Sequence, residues 1–264
     1  MKPNHQISGA HLFLVANAAG GSSKTTFAAE AKVACTMRGI PSSLVTFDGQ
    51  DQTLNKIFRG SGVHQVAKPS GEALLDSFGT HIDAARDAGE VIIADTPSCI
   101  NDPDCPLMMA LSDSKILEKF DSIGLLIPVT ATHHHLDGAF EALAALQAAG
   151  IKCDRGLIRA WRDPELKWDH FRTFDSLKAL YPVWDCGTYM QSMTDMMWGY
   201  GNFAEYPALD KLQTLFAENG QGMTMRKRGQ LRAAVAHLER ATDAIYERLL
   251  APIIEKPSKS GKSE

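Results

Sequence analysis

NAAGGSSKTTFAAEAK, residues 17–32, directly follows the short apolar run HLFLVA. A strand, a glycine-rich turn and a helix that opens with Lys-Thr are together typical of a phosphate-binding loop. Gly20 and Gly21 allow the turn and let backbone N–H groups approach a phosphate, and the amino end of the helix adds positive potential. Lys24 is expected to reach the β- and γ-phosphates, and Thr25 to ligate Mg²⁺.

The loop departs from the plain pattern GxxxxGK[ST] at two positions. Ala18 and Ser23 stand where that pattern has glycine. An ordinary glycine-rich turn, before a helix that happens to begin Lys-Thr-Thr, is therefore the competing interpretation of this stretch taken alone. Motifs elsewhere in the chain decide between the two.

Short apolar runs alternate with helix-like stretches over the first two thirds of the chain. The runs lie at 11–16, 43–47, 91–94, 123–129 and 156–161, and the helical stretches at about 24–38, 51–59, 72–88, 106–119, 135–149 and 166–180. Near-continuous apolar strands suit a sheet that is covered on both faces. We expect an α/β fold with a doubly wound, mostly parallel sheet of the P-loop NTPase type, and ligands at the carboxyl ends of its strands.

The C-terminal part is predicted to be helical after about residue 186, at 190–198, 205–217 and 224–250. Spacings of three and four predict that the last helix packs one stripe on the body, formed by Leu231, Val235, Leu238, Thr242, Ile245 and Leu249. No repeat or linker-like composition interrupts the chain. We expect a single domain over 1–255, followed by a disordered polar tail at 256–264.

Composition favours a cytoplasmic protein. The five cysteines are widely spaced and form no CxxC pair, which argues against a disulfide framework or a zinc site and for a reducing compartment. HLFLVA is too short for a signal segment or a membrane span, and the tail KPSKSGKSE has no apolar face for a membrane. The formal net charge of -4 neither favours nor excludes nucleic acid.

The loop resembles that of the ParA/MinD-type deviant-Walker ATPases, which typically reads N-x-K-G-G-x-G-K-T-T. Residues 17–26 match it without a gap, except that the family's signature lysine falls on Ala19 and its last loop glycine on Ser23. The resemblance implies an ATP·Mg²⁺ site. Its nucleotide-binding residues in the loop would be Gly20, Gly21, Ser22, Ser23, Lys24, Thr25 and Thr26.

Three further strand ends resemble the same family in the same order. SLVTFDGQ matches the segment D-L-D-P-Q, which implies that Asp48 positions the attacking water, in catalysis with the loop lysine, and that Gln50 lies at the nucleotide. VIIADTPS matches the Walker B strand, which implies that Asp95 holds Mg²⁺ through water, and IGLLIPVTAT matches I-I-P-V-x-P. RAWRD makes Arg162 and Asp163 candidates for the base site.

An aspartate at the end of a strand is by itself more often a helix cap or turn former than a catalytic group. Asp48 and Asp95 are nevertheless both predicted at the phosphate side of one sheet, and the four motifs occur in family order. The resemblance implies an ATPase, slow and stimulated by a partner or cargo adaptor, that forms a homodimer on ATP binding and partitions or positions DNA or a protein cargo over the nucleoid. The alternatives are a metabolic P-loop enzyme resembling dethiobiotin synthetase and a non-hydrolysing nucleotide-binding adaptor.

Two other polar clusters suggest functions. The basic residues Arg226, Lys227, Arg228 and Arg232 lie where the last helix should start, and residues 226–264 hold nine basic and five acidic residues. Such a patch could bind DNA phosphates without reading sequence, or be a solvated face, and the sequence favours neither. Three consecutive histidines, His133–His135, cannot converge on one metal and are interpreted as a solvated loop or helix start.

Alanine at position 19 has no charge to offer a partner's nucleotide, which is where the family's signature lysine acts. Either the dimer is weaker and hydrolysis slower than is usual in the family, or another cation takes this place, which is what we expect. The candidates are Lys152, Arg162 and Lys167.

Overall fold

The structure is a computed structural model that describes residues 7–47, 54, 58, 63–65, 72–102, 104–162, 167–188 and 224–254. Its strands are β1 (His11–Val15), β2 (Ser42–Thr46), β3 (Val63–Gln65), β4 (Val91–Asp95), β5 (Ser122–Thr130), β6 (Arg155–Arg162) and β7 (Val183–Thr188). They form one seven-stranded sheet in the order β3–β2–β4–β1–β5–β6–β7. Every neighbouring pair is parallel, which confirms the predicted doubly wound α/β fold.

Helices cover both faces of this sheet, as the apolar strands require. They are α1 (Lys24–Met37), α2 (Glu72–Ala88), α3 (Pro106–Ser112), α4 (Ser114–Leu117), α5 (His133–Ala148), α6 (Arg172–Leu180) and α7 (Met225–Ile245). A 3-10 turn lies at Trp168–His170, and α7 continues into a wider turn at Tyr246–Leu250 and a 3-10 turn at Ala251–Ile253. Within the described ranges, no helix is long and apolar enough to cross a lipid bilayer.

The sheet separates two apolar cores. One contains buried residues of α2 to α6, such as Phe78, Leu136 and Leu177. The other lies between the sheet and the pair α1 and α7, with Phe27 of α1 and Leu238 of α7 in its interior. The loop that precedes α1 is therefore fixed from both sides by packed elements.

The last helix packs as its spacing predicted. Leu238, Thr242, Ile245 and Leu249 are buried, Val235 is partly buried, and the side chain of Leu231 lies outside the described residues. The buried stripe also takes in His237, a residue that hydrophobic spacing alone did not indicate. The predicted helices at 51–59, 190–198 and 205–217 and the predicted tail likewise fall outside the residues described as elements.

Two strands were missed by the sequence interpretation. β3 has only three residues, VHQ, which is too short for any periodic signal. In β7, Trp184 and Cys186 are buried whereas Asp185 between them is exposed. This alternation is typical of a strand at a sheet edge, and it differs from the continuous apolar runs that identified the central strands.

The predicted helix at 106–119 is in fact two short helices. Asp113 separates them in an extended conformation, with φ −78° and ψ 118°. Its carboxylate accepts a hydrogen bond of 2.8 Å from the backbone N–H of Lys115 and so caps α4. The predicted helix at 166–180 is likewise divided, into the 3-10 turn Trp168–His170 and α6.

Candidate nucleotide-binding site

The loop between β1 and α1 is held from below by Asn17, which is fully buried. Its amide Nδ2 donates to the carbonyl oxygens of Pro128 at 2.8 Å and of His135 at 2.9 Å. Its Oδ1 accepts from the backbone N–H of Ala19 at 2.8 Å. The end of β5 and the start of α5 thus fix the loop, which links two of the motifs found in the sequence.

The loop packs closely against α5. The backbone N–H of Ala18 donates to the carbonyl of Gly138 at 2.9 Å. A Cβ placed on Gly138 would come within 2.5 Å of both the Ala19 nitrogen and the Asn17 Oδ1. Only glycine at position 138 therefore permits the loop to lie against the helix at this distance.

The first turn of α1 is left open toward the loop. Ser23, the residue before the helix, has φ 67° and ψ 35°, and its side chain makes no capping hydrogen bond. Gly21 also has a positive φ, of 72°. The first N–H groups of a helix have no partner within the helix, and here no side chain of the capping residue takes their place. Such amino ends bind anions, so the observed geometry fits a phosphate.

Lys24 and Thr25 lie at the start of α1 with different partners. The Lys24 Nζ donates to the Ala19 carbonyl at 3.0 Å, so the ammonium group folds back along the loop. The Thr25 hydroxyl donates to Asp95 Oδ2 at 2.8 Å. Asp95 ends β4, where it is paired in register with Val15 of β1.

These groups line one cavity of about 310 Å³ at the carboxyl edge of the sheet. Its lining residues are Gly21, Ser22, Ser23, Lys24, Thr25, Asp95, Thr96 and Ser98. A hydroxyl and a carboxylate side by side are oxygen ligands of the kind that Mg²⁺ takes together with water and phosphate. The residues present therefore fit a Mg²⁺–nucleotide complex, in which Thr25 would ligate the metal and Asp95 would hold it through water.

The two remaining predicted loop residues are not among those that line this cavity. Gly20 is exposed, and Thr26 is half-buried in the first turn of α1. Asp48, Gln50 and Asp163 lie outside the described residues, so the predicted catalytic role of Asp48 stays a prediction. Arg162 ends β6 at the edge of the sheet that carries the loop, where its exposed side chain forms an ion pair with Asp185 of β7.

Three cations were considered as substitutes for the signature lysine, and the structure contradicts the choice of Lys152. It precedes the amino end of β6, and parallel pairing places that end opposite the carboxyl edge where the loop lies. Arg162 and Lys167 follow the carboxyl end of β6 and are exposed, so both stay candidates. Ala19 itself is 3% exposed, because it is packed against α5.

The histidines at the start of α5 do more than begin the helix. His133 and His134 are exposed, but His135 is half-buried, and its Nε2 lies 3.3 Å from the carbonyl oxygen of Gly20. Burial lowers the pKa of His135, and the nearby charges of His134 and Lys24 lower it further. The contact with the Gly20 carbonyl raises this pKa but does not cancel the decrease. The expectation of a solvated helix start is therefore confirmed for the first two histidines and wrong for His135.

The basic cluster lies at the predicted helix end. α7 begins at Met225, and Arg226, Arg228 and Arg232 are exposed, while the side chain of Lys227 lies outside the described residues. Cations at the amino end of a helix oppose its dipole, so this placement does not stabilise α7. These three arginines are accessible to a polyanion.

Solved structures with this fold include proteins named ParA and McdA and a nucleotide-binding protein in complex with ADP. The chain is 14% identical to pnob8 ParA, over 90% of this chain and 99% of that one, with a TM-score of 0.56. It is 13% identical to an ADP-bound nucleotide-binding protein from Archaeoglobus fulgidus with Co, over 74% and 88%, with a TM-score of 0.51. For apo McdA from Cyanthece the identity is 13%, the coverage 88% and 99%, and the TM-score 0.50.

Sequence comparison adds no closer relative, since no protein-family model matches the chain and no curated protein matches it. Identities this low establish the fold alone. The fold and the loop together define a P-loop NTPase architecture. Within that class, the chain has the fold of the ParA-type proteins, as the order of its motifs predicted.

Proposed function

We propose that this chain is a ParA/MinD-type ATPase that binds ATP with Mg²⁺ and hydrolyses it slowly. The observation that carries the proposal is the hydrogen bond from Thr25 to Asp95 beside the open amino end of α1. Thr25 lies in the first turn of α1, directly after the loop, and Asp95 ends the neighbouring strand β4. Both side chains offer an oxygen ligand for Mg²⁺ at a place where a helix end attracts phosphate.

In this proposal the loop binds the phosphates through the amides of residues 20–26 and through Lys24, whose ammonium turns from the Ala19 carbonyl to the phosphates. Mg²⁺, when bound, neutralises part of the phosphate charge. Asp48 orients the attacking water, as the resemblance implies. The ATP-bound form dimerises, and hydrolysis, stimulated by a partner protein, returns it to the monomer.

We further propose that the ATPase activity serves to position DNA or a protein cargo over the nucleoid. This role is supported by the exposed cations Arg226, Arg228 and Arg232 at the start of α7 and by the likeness in fold to pnob8 ParA and McdA. A metabolic ligase would use the same loop, but it would transfer the phosphoryl group to a small molecule instead of water.

The deciding experiment combines calorimetry, phosphate release and light scattering on the purified chain. We expect one ATP per chain with binding that weakens in EDTA, slow phosphate release without any added substrate, and a mass that doubles with ATP·Mg²⁺ but not with ADP. Tight binding without phosphate release would support the non-hydrolysing adaptor. An absence of ATP binding would overturn the proposal.

A further inference from the structure

A buried polar group lies directly behind the phosphate loop and is not part of the nucleotide site. It consists of Glu30 of α1, Arg159 of β6 and His237 of α7, and each of the three residues is 0% exposed. Arg159 Nη1 donates to Glu30 Oε2 at 2.8 Å, and His237 Nε2 donates to Glu30 Oε1 at 2.8 Å. Ionised groups are seldom placed in an apolar core, because their desolvation costs several kcal/mol each.

Arg159 also reaches the loop itself. Its Nη2 donates a hydrogen bond of 2.9 Å to the backbone carbonyl of Ser23. The same carbonyl accepts the first hydrogen bond of α1, from the N–H of Phe27 at 3.1 Å. Arg159 therefore holds the peptide that joins Ser23 to Lys24, at the point where the loop becomes the helix.

Ser23 is the residue that needs such support. It is the one described non-glycine residue with a positive φ. A side chain in this left-handed conformation is strained by its Cβ, and the P-loop pattern has glycine here, which avoids the strain. At position 23, a serine that disfavours the left-handed conformation occurs together with a buried arginine that donates to its carbonyl.

Aromatic rings pack against the guanidinium of Arg159 and against the imidazole of His237. The guanidinium lies 4.7 Å from the ring centroid of Phe27. The His237 ring is stacked between two indoles, with centroid distances of 4.9 Å to Trp161 and 5.0 Å to Trp184. Burial alone would raise the pKa of Glu30, but the charge of Arg159 and the contact with His237 hold it below its ordinary value, so the carboxylate stays ionised.

We propose that Arg159 is a positioning residue that holds Ser23 in the left-handed conformation from which the loop binds phosphate. It does so through the Ser23 carbonyl, with Glu30 and His237 anchoring its guanidinium. The assignment rests on the proposed nucleotide-binding function and extends it. The loop thereby replaces an intrinsic glycine with a tertiary contact.

The test is whether glycine at position 23 makes Arg159 dispensable. Removing Arg159 alone would leave the buried Glu30 carboxylate without its arginine, so the neutralised variant combines Arg159→Met with Glu30→Gln. ATP·Mg²⁺ affinity is measured by calorimetry for the native chain and this variant, each with and without Ser23→Gly. We expect the neutralised variant to bind ATP·Mg²⁺ about tenfold more weakly than the native chain. Ser23→Gly should raise the affinity of the neutralised variant by a factor at least about fivefold larger than in the native chain.

Hydrogen exchange of the nucleotide-free protein supplies an independent measure of the loop. Peptides covering residues 17–27 should exchange at least about fivefold faster in the neutralised variant and slow down again with Ser23→Gly. If the native chain binds no ATP, the proposed function fails, and the exchange result still decides whether Arg159 holds the loop. Unchanged exchange, or an equal effect of Ser23→Gly in both backgrounds, would overturn the proposal.

A matched control and a second variant separate positioning from general stability. Arg38→Met removes the ion pair between Arg38 and Asp243, which also joins α1 to α7, but at the far end of α1. It should leave affinity and loop exchange within about twofold of the native values. If the neutralised variant does not fold, Arg159→Lys takes its place, because lysine keeps the charge but cannot contact Glu30 and the Ser23 carbonyl as a fork. The same dependence on Ser23→Gly is then expected, and its absence would contradict the assignment.

Discussion

Thr25 and Asp95 are separated by 70 positions in the chain, yet the threonine hydroxyl lies 2.8 Å from the carboxylate. The contact exists because β1 and β4 are neighbours in register, with Val15 opposite Asp95. The two strands therefore end at the same edge of the sheet. The helix that follows β1, which carries Thr25, begins at this edge. Most of the predictions below depend on this edge.

Lys24→Ala should weaken ATP·Mg²⁺ binding at least about tenfold, because a charge-assisted hydrogen bond contributes about 1.5–3 kcal/mol. The Lys24 Nζ donates to the Ala19 carbonyl of the same loop, a contact that joins no two packed elements, so its loss should leave the fold intact. Calorimetry measures the affinity and circular dichroism the fold. Lys115→Ala, at an exposed position, is the control. Native affinity in Lys24→Ala would remove the assignment of the phosphate site.

Asp95→Asn should change the response to Mg²⁺ more than the binding of ATP itself. The carboxylate repels phosphate in the absence of metal and attracts the metal when it is present. We therefore expect ATP affinity in EDTA to stay equal or rise, while the gain on adding Mg²⁺ shrinks at least about tenfold. Titrations with and without Mg²⁺ measure both quantities. A gain equal to that of the native chain would show that Asp95 does not hold the metal.

Asp48→Ala should separate binding from hydrolysis. If Asp48 orients the attacking water, the variant should bind ATP with native affinity, lose nearly all turnover and accumulate as the ATP-bound dimer. Phosphate release and light scattering give the two measurements. Turnover at the native rate would mean that another acid does this work.

Charge reversal at Arg226 and Arg228 should weaken binding to random duplex DNA, whatever its sequence. Each phosphate contact releases counterions, so the native affinity should fall steeply as salt rises, and the variant should show a shallower slope. Fluorescence anisotropy with ATP present measures this. The single reversals Arg226→Glu and Arg228→Glu are each compared with Arg240→Glu, which makes the same charge change at an exposed position farther along the same helix. Absence of native binding at low salt would identify the cluster as a solvated face.

Stability should decrease when the pH falls below the ordinary value for histidine. His81 is stacked on His64 at 4.6 Å and bonded to the Ser43 hydroxyl, and burial lowers its pKa to about 4 from 6.5. Between these two values the unfolded chain binds more protons than the folded one, so protonation favours unfolding, and above 6.5 the effect vanishes.

Urea unfolding at about pH 7.5 and about pH 5 measures this dependence. His81→Gln keeps a hydrogen-bonding side chain without titrating, and it should reduce the loss of stability between the two conditions. His134→Gln, at an exposed position, should not. Equal losses in all three proteins would contradict the assigned cause.

The sequence alone determined the features that depend on neighbouring residues. Continuous apolar runs identified five of the seven strands, and the glycine-rich turn before Lys24 identified the loop. Asp95 could be assigned because it ends such a run. β7 was not predicted because buried and exposed residues alternate along this edge strand. The break at Asp113 was not predicted because the helical pattern continues on either side of the one carboxylate that caps α4.

Only the tertiary structure decided which distant residues meet. The arginine in β6 looked like one polar position in an apolar run, and it became meaningful only when strand order placed it behind Ser23. Glu30 and His237 lie 207 positions apart and meet because α1 and α7 share one face of the sheet. Strand order also placed Lys152 at the wrong edge. Local patterns fix where elements begin and which face is apolar, but contacts between elements arise from how several of them pack at once.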